Sequence, residues 1–169
     1  MILTMNLSTF TEIHTVLSIA ALAAGVVAVV GMLRSQRRPL WSMLYFVTAI
    51  ATSATGFGFP NKTFTPAEVL GVISLVLLGI AVLARYFYMF AGAMRWLYAI
   101  GVTLSLYFLF FVLVAQAFSR VAALKALAPT QSELPFAAAQ GVLLLVFVAI
   151  VIAVMRKFHP KIGYSAQRG

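Results

Sequence analysis

His14 stands about one turn inside the first apolar run of the chain, and the other histidine, His159, lies in a basic tail. Imidazole titrates near neutrality, so a histidine held among apolar residues can exchange a proton or contact a polar ligand. His14 has no capping role, and its natural partners are Glu133, Gln140 or Gln116 from other apolar runs. With Glu12, Thr55 and Tyr107, these residues form the candidate ligand-binding set. Each also has a structural reading. The two glutamates can cap helices, and Thr55 can bond back to its own helix. Gln116 and Gln140 can hydrogen-bond to one another between helices. Tyr107 can be a core tyrosine with a satisfied hydroxyl, and His14 a hydrogen-bonded interfacial histidine.

No reaction is written in this set. The chain has no cysteine, which excludes disulfides, thiolate chemistry and Cys-ligated metal or iron–sulfur sites. Haem b between two histidines needs a second histidine within the membrane, and only a single axial ligand with an open site remains. A metal on His14 and carboxylates falls short of the three protein ligands that most catalytic sites supply. There is no glycine-rich phosphate loop, Ser-His-Asp set or other catalytic motif. No cofactor is identified, and a catalytic role is disfavoured.

The elements that must position these side chains are membrane helices. The 169 residues are 63% hydrophobic and 9% charged, with a mean hydropathy of +1.06. Soluble domains carry about 25% charged residues, so this chain has too little polar material to cover a soluble surface. Residues 1–169 read as one all-α integral membrane domain. Five apolar runs, 11–33, 41–59, 66–88, 96–118 and 135–155, each suffice to cross a hydrocarbon core of ~30 Å at ~1.5 Å per residue. The first is not expected to be a cleaved signal, since no Lys or Arg precedes it and Glu12 makes that end acidic.

Charge sets the direction. Arg34, Arg37, Arg38, Arg85, Arg95, Arg156, Lys157, Lys161 and Arg168 fall on one side; Lys62, Arg120 and Lys125 fall on the other. The richer side is cytoplasmic by the positive-inside rule, so the N-terminus is outside and the C-terminus inside. The net charge of +9 thus reports topogenesis and attraction of anionic lipid to the inner loops and tail, not nucleic acid. Trp41 and Trp96, with Tyr45, Tyr86, Tyr88 and Tyr98, form an inner aromatic belt. Phe10, Phe57, Phe59, Phe64, Phe118 and Phe136 mark the outer ends.

Three Thr-x-x-Glu boxes, Thr9–Glu12, Thr65–Glu68 and Thr130–Glu133, have capping-box spacing and open the first, third and fifth spans on the outer side. Most buried-span polar residues then lie in the outer half, and the inner half has almost none beyond the belt. The expectation is a polar pocket around His14, open outside and sealed towards the cytoplasm. Arg85, near the inner surface, is expected to snorkel. Residues 120–128 read as a short outer interfacial helix or an extension of the fourth span. Ala20, Ala24 and Ala28, Ala21 and Gly25, and Ala137 and Gly141 give the first and fifth spans small faces for close helix contact. The Glu12–Trp41 and Glu68–Trp96 segments echo one another, though chance similarity accounts for that in so apolar a chain.

Two stretches carry a resemblance. Thr55-Gly-Phe-Gly-Phe-Pro60 closes the second span, and Leu127-Ala-Pro-Thr-Gln-Ser-Glu-Leu-Pro-Phe136 opens the fifth. With the Ala-Arg-Tyr end of the third span, they are similar to a group of small bacterial inner-membrane proteins with TGFxFP and LAPTQSE-x-PF motifs; Leu134 replaces a proline of the second. The resemblance implies a multi-pass protein of a bacterial cytoplasmic membrane and brings no activity or cofactor. The expectation is a non-enzymatic binding or accessory protein, as a subunit of a larger membrane complex or a homo-oligomer. A small transporter or channel using the outer polar site is the alternative, and a membrane enzyme or cofactor carrier the third.

Overall fold

The computed structural model describes residues 6–60 and 65–160, and all regular structure among them is helical. In chain order the helices are α1 (Leu7–Leu33), α2 (Pro39–Gly56), α3 (Pro66–Val82), α4 (Met94–Arg120), α5 (Ala122–Leu127) and α6 (Leu134–Lys157). A π turn, Leu83–Phe87, ends α3. Lys62, Phe64, Lys161 and Arg168 lie outside the described residues. Four helices, Leu7–Leu33, Pro66–Phe87, Met94–Arg120 and Leu134–Lys157, are long and apolar enough to cross a membrane. The 18-residue α2, carrying Ser42, Thr48, Thr52, Ser53 and Thr55, is not among them.

Helix starts follow local chemistry more closely than the Thr-x-x-Glu pattern. At α3 the box forms as read: the Thr65 hydroxyl accepts from Glu68 N–H at 3.3 Å, and the Glu68 carboxylate accepts from Thr65 N–H at 2.6 Å. Pro66 follows at the first helical position, where its missing N–H costs nothing. At α1 the reading is corrected. Asn6 is the N-cap, its Oδ1 accepting from Ser8 N–H at 3.5 Å, so Thr9 and Glu12 lie within the helix. Asn is among the best N-cap residues and takes the earlier start. At α6 the Thr130–Glu133 pair forms, but it precedes the helix, with Glu133 itself the N-cap and Pro135 in the first turn. Residue Val121 is extended and separates α4 from the short α5.

Packing is densest where side chains are smallest. α1 lies against α2, α3 against α4, and α4 also meets α1 and α6. Ala21, Ala24, Gly25 and Ala28 form the buried stripe of α1. A Cβ at Gly25 would fall 2.6 Å from Leu106 Cδ1 and 2.7 Å from Tyr45 Cε2, so α2 and α4 both close on this point. The small face of α6 does not join it: Ala137 and Gly141 are exposed, and a Cβ on Gly141 would meet nothing within 4 Å.

The connection from α3 to α4 is a tight reversal. Met89, Phe90 and Gly92 all have positive φ, at 48°, 64° and 52°. Left-handed geometry costs an L-residue about 1–2 kcal/mol. The buried ring of Phe90 offsets this through edge contacts to Tyr98 and Phe158 and the guanidiniums of Arg37 and Arg85. Ring pairs contribute ~0.5–1.5 kcal/mol each, and cation–π contacts ~0.5–2, which together are of the same order as the backbone cost.

Candidate functional site

One end of the bundle is built around His14. Its Nδ1 lies 2.8 Å from Thr55 Oγ1, across the α1–α2 contact. The Thr55 hydroxyl also sits 2.7 Å from the Ala51 carbonyl, one turn back. A hydroxyl has a single proton. When that proton goes to Ala51, His14 donates through Nδ1–H and Nε2 is left as an acceptor. The imidazole stands edge-on to Phe59, with centroids 5.2 Å apart, and Phe59 in turn meets Phe10 at 5.1 Å. Small residues leave the room: a Cβ on Gly56 would approach His14 Cε1 at 3.9 Å, and one on Gly58 would strike Phe10 Cζ at 2.6 Å. The ring of Phe57 packs over Gly71 of α3. Each residue from Thr55 to Phe59 therefore has a defined part in seating α1 and α3 on the end of α2.

The other sequence-derived candidates are not gathered here. Among the described residues, no hydrogen bond joins His14 to Gln116, Glu133 or Gln140. Gln116 accepts from Arg120 Nε at 3.0 Å on the same helix. Gln140 donates to the Phe111 carbonyl at 3.1 Å and ties α6 to α4, leaving its Oε1 buried without a partner. The expected Gln116–Gln140 bond is thus replaced by one bond within a helix and one to backbone. Glu133 accepts from Thr130 and Ser132. Desolvation would raise its pKa, but the hydrogen bonds from the Thr130 hydroxyl and the surrounding backbone N–H groups outweigh it and hold the carboxyl below its ordinary value of 4.5. Gln131, left-handed at φ 59°, donates to the Ala115 carbonyl at 2.9 Å and anchors the second motif on α4. Glu12 is exposed on α1, and Tyr107 is half-buried between Phe111 and Phe147.

The opposite end holds a group of residues that the sequence reading did not assemble. Arg85 does not snorkel: it is only 8% exposed, and its Nη1 donates to the Tyr98 hydroxyl at 3.1 Å. Ser42 Oγ lies 3.1 Å from the same hydroxyl, and Tyr45 OH lies 2.8 Å from Ser105 Oγ. Ser74, Leu78, Ala81 and Arg85 share the buried face of the third helical segment at spacings of 4, 3 and 4, which is the signal that locates Arg85. Tyr45 and Tyr98, read as an interfacial belt, are wholly buried. Ser42, Tyr45, Thr48, Thr52 and Thr55 lie on one face of α2 and form a polar seam running from Arg85 to His14. This end of the bundle therefore has a polar interior.

Among the described residues, no three His, Cys, Asp or Glu side chains come together as a metal site. Comparison with protein families, with functionally described proteins and with solved structures finds no match to this chain.

Proposed function

We propose that this chain is a non-enzymatic, five-span protein of a bacterial cytoplasmic membrane that binds a polar ligand or partner group at His14, on the outer side. The carrying observation is the His14–Thr55 bond, which orients an imidazole at a glycine-lined helix end and leaves Nε2 without a partner among the described residues. An ionisable group within a membrane helix is retained at a cost and is the first place to look for function.

Packing supports five crossings. At ~1.5 Å per residue α2 is about 27 Å long, close to the hydrocarbon thickness of ~30 Å. It packs between α1 and α3, and the hydroxyls of Ser42, Tyr45, Thr48 and Thr55 are turned onto neighbouring helices and its own carbonyls. Lower hydropathy is what an interior-facing helix of a bundle carries. The loop after α1, the turn before α4 and the end of α6 meet through Arg37, Phe90 and Phe158, which gathers most of the basic residues at one end. That end is cytoplasmic by the positive-inside rule, and anionic lipid gathers there. The exposed small face of α6 is available to a second copy or another membrane subunit.

Gentle purification of the wild-type and His14→Ala chains, followed by native mass spectrometry, tests the reading. The wild type carries a bound species that His14→Ala loses, with helical circular dichroism unchanged. Equal loading of both chains, or none in the wild type, removes the basis for the proposal. The seam along α2 favours a second reading, passage of a small polar solute or a proton. Flux through reconstituted vesicles that is abolished by His14→Ala would assign the protein to that class.

A further inference from the structure

We propose that the end of the bundle opposite His14 contains a binding site for a phosphate-class anion, in the cavity walled by Phe90, Gly92, Arg95 and His159. This site does not depend on the His14 reading; it requires only that this end of the bundle lie at a membrane surface.

The cavity has a volume of about 420 Å³, ample for a phosphate group. Phe90 forms one wall, with two arginines against its ring and a third lining the cavity. Arg95 lines the cavity directly. Arg37 Cζ stands 5.4 Å from the Phe90 ring centroid and Arg85 Cζ 5.7 Å from it. Among the described residues no carboxylate balances them, since Glu12, Glu68 and Glu133 sit at or near the N-terminal ends of α1, α3 and α6, at the far end of the bundle. One guanidinium lining this space and two against the ring of its Phe90 wall, without a carboxylate side chain beside them, set up a field that an anion neutralises.

The second observation is an unmet hydrogen-bond demand. Arg37 stands against the cavity's Phe90 wall rather than lining the cavity, and its Nε and Nη2 are buried there without a partner. A buried guanidinium N–H left unpaired is costly, and native structures rarely keep one without a reason. Arginine presents a fork of donors that fits phosphate oxygens in pairs. Gly92 adds access: its φ of 52° and the open space where a Cβ would stand leave the backbone bare to the cavity. The left-handed turn thus folds Phe90 inward as a platform and exposes Gly92 as a floor.

Arg95 provides the readout. Its Cζ lies 4.4 Å from the Trp96 ring centroid, so an anion that recruits Arg95 changes the environment of that indole. Trp41 is the only other tryptophan, and Trp41→Phe isolates the signal. The detergent-purified Trp41→Phe chain is titrated with inorganic phosphate. In parallel it is reconstituted into phosphatidylcholine vesicles with increasing shares of phosphatidylglycerol. A saturable emission change in either arm supports the site; the lipid arm alone identifies a headgroup as the source, and the phosphate arm alone a soluble anion. Arg95→Gln weakens the response about tenfold or more, as loss of one charge-assisted bond implies. Arg37→Gln weakens it too, with unchanged helical circular dichroism, and His14→Ala leaves it intact. No saturable change in either arm, or wild-type binding by both arginine variants, overturns the proposal.

Discussion

Arg85 donates to the hydroxyl of Tyr98 at 3.1 Å, and this neutral phenol stands where a buried cation would ordinarily meet a carboxylate. The same hydroxyl lies 3.1 Å from Ser42 Oγ, so one oxygen joins α2, the end of α3 and α4. The rings of Tyr86, Phe90 and Tyr98 all lie within 6 Å of the guanidinium carbon. Aromatic faces and a single phenol do the work of a counter-ion.

Tyr98→Phe keeps the ring and removes the oxygen, which strips a buried cation of its acceptor. The expected loss is about 1.5–3 kcal/mol, the range for hydrogen bonds to charged groups. Arg85→Met removes the cation and leaves an apolar side chain of similar length, a change that is often neutral or stabilising. The double variant therefore lies close to Arg85→Met alone. Thermal unfolding in mild detergent measures all three, and additive losses would show that the two residues act separately.

Gly101 marks the closest approach of α3 to α4, where a Cβ would fall 2.8 Å from the Leu77 carbonyl oxygen. Backbone cannot turn aside as a side chain can. Gly101→Ala is expected to cost about 1–3 kcal/mol by forcing the helices apart. Gly79→Ala, with nothing within 4 Å of its Cβ, should be neutral or gain up to about 1 kcal/mol from helix propensity. The same unfolding assay checks the contrast, and equal effects would mean that this contact is not formed.

Glu133 makes stability depend on pH. Its carboxyl is held below 4.5 in the folded chain, so the unfolded chain binds its proton first as pH falls. The stabilisation is present in full above that unfolded value and disappears as pH drops through the lower folded one. A thermal series from neutral to acid pH should show the wild type losing, below 4.5, an increment that Glu133→Gln never had. Parallel curves for the two chains at all pH values would contradict the assignment.

Helix number and approximate limits are legible because Pro, Gly or a charge stands at or near the end of each apolar run. The exact starts are less so. Three Thr-x-x-Glu patterns looked equivalent, yet Asn6 offered α1 an earlier cap, and Pro135 set α6 to begin after Glu133 rather than at Thr130. The polar pairings were the hardest to foresee. The membrane halves of α1 and α6 are apolar on nearly every side, so periodicity does not say which face turns inward, and nothing in the sequence shows that Gln140 meets the Phe111 carbonyl. The contact between His14 and Thr55 brings together two of the candidate residues, although the partners anticipated for His14 were others. By depth alone Arg85 reads as an interfacial cation, but its phase on the helix turns it inward. Its spacing from Ser74, Leu78 and Ala81 pointed inward.

The orientation of the bundle carries the whole account, and the absence of native cysteine makes it directly measurable. Single cysteines are introduced as Glu12→Cys, Gln36→Cys, Ala91→Cys and Lys125→Cys, and intact bacterial host cells are treated with a membrane-impermeant maleimide. The account predicts labelling at positions 12 and 125, with 36 and 91 reached only after the membrane is opened. Labelling at 36 or 91 in intact cells, or protection of 12, would contradict it.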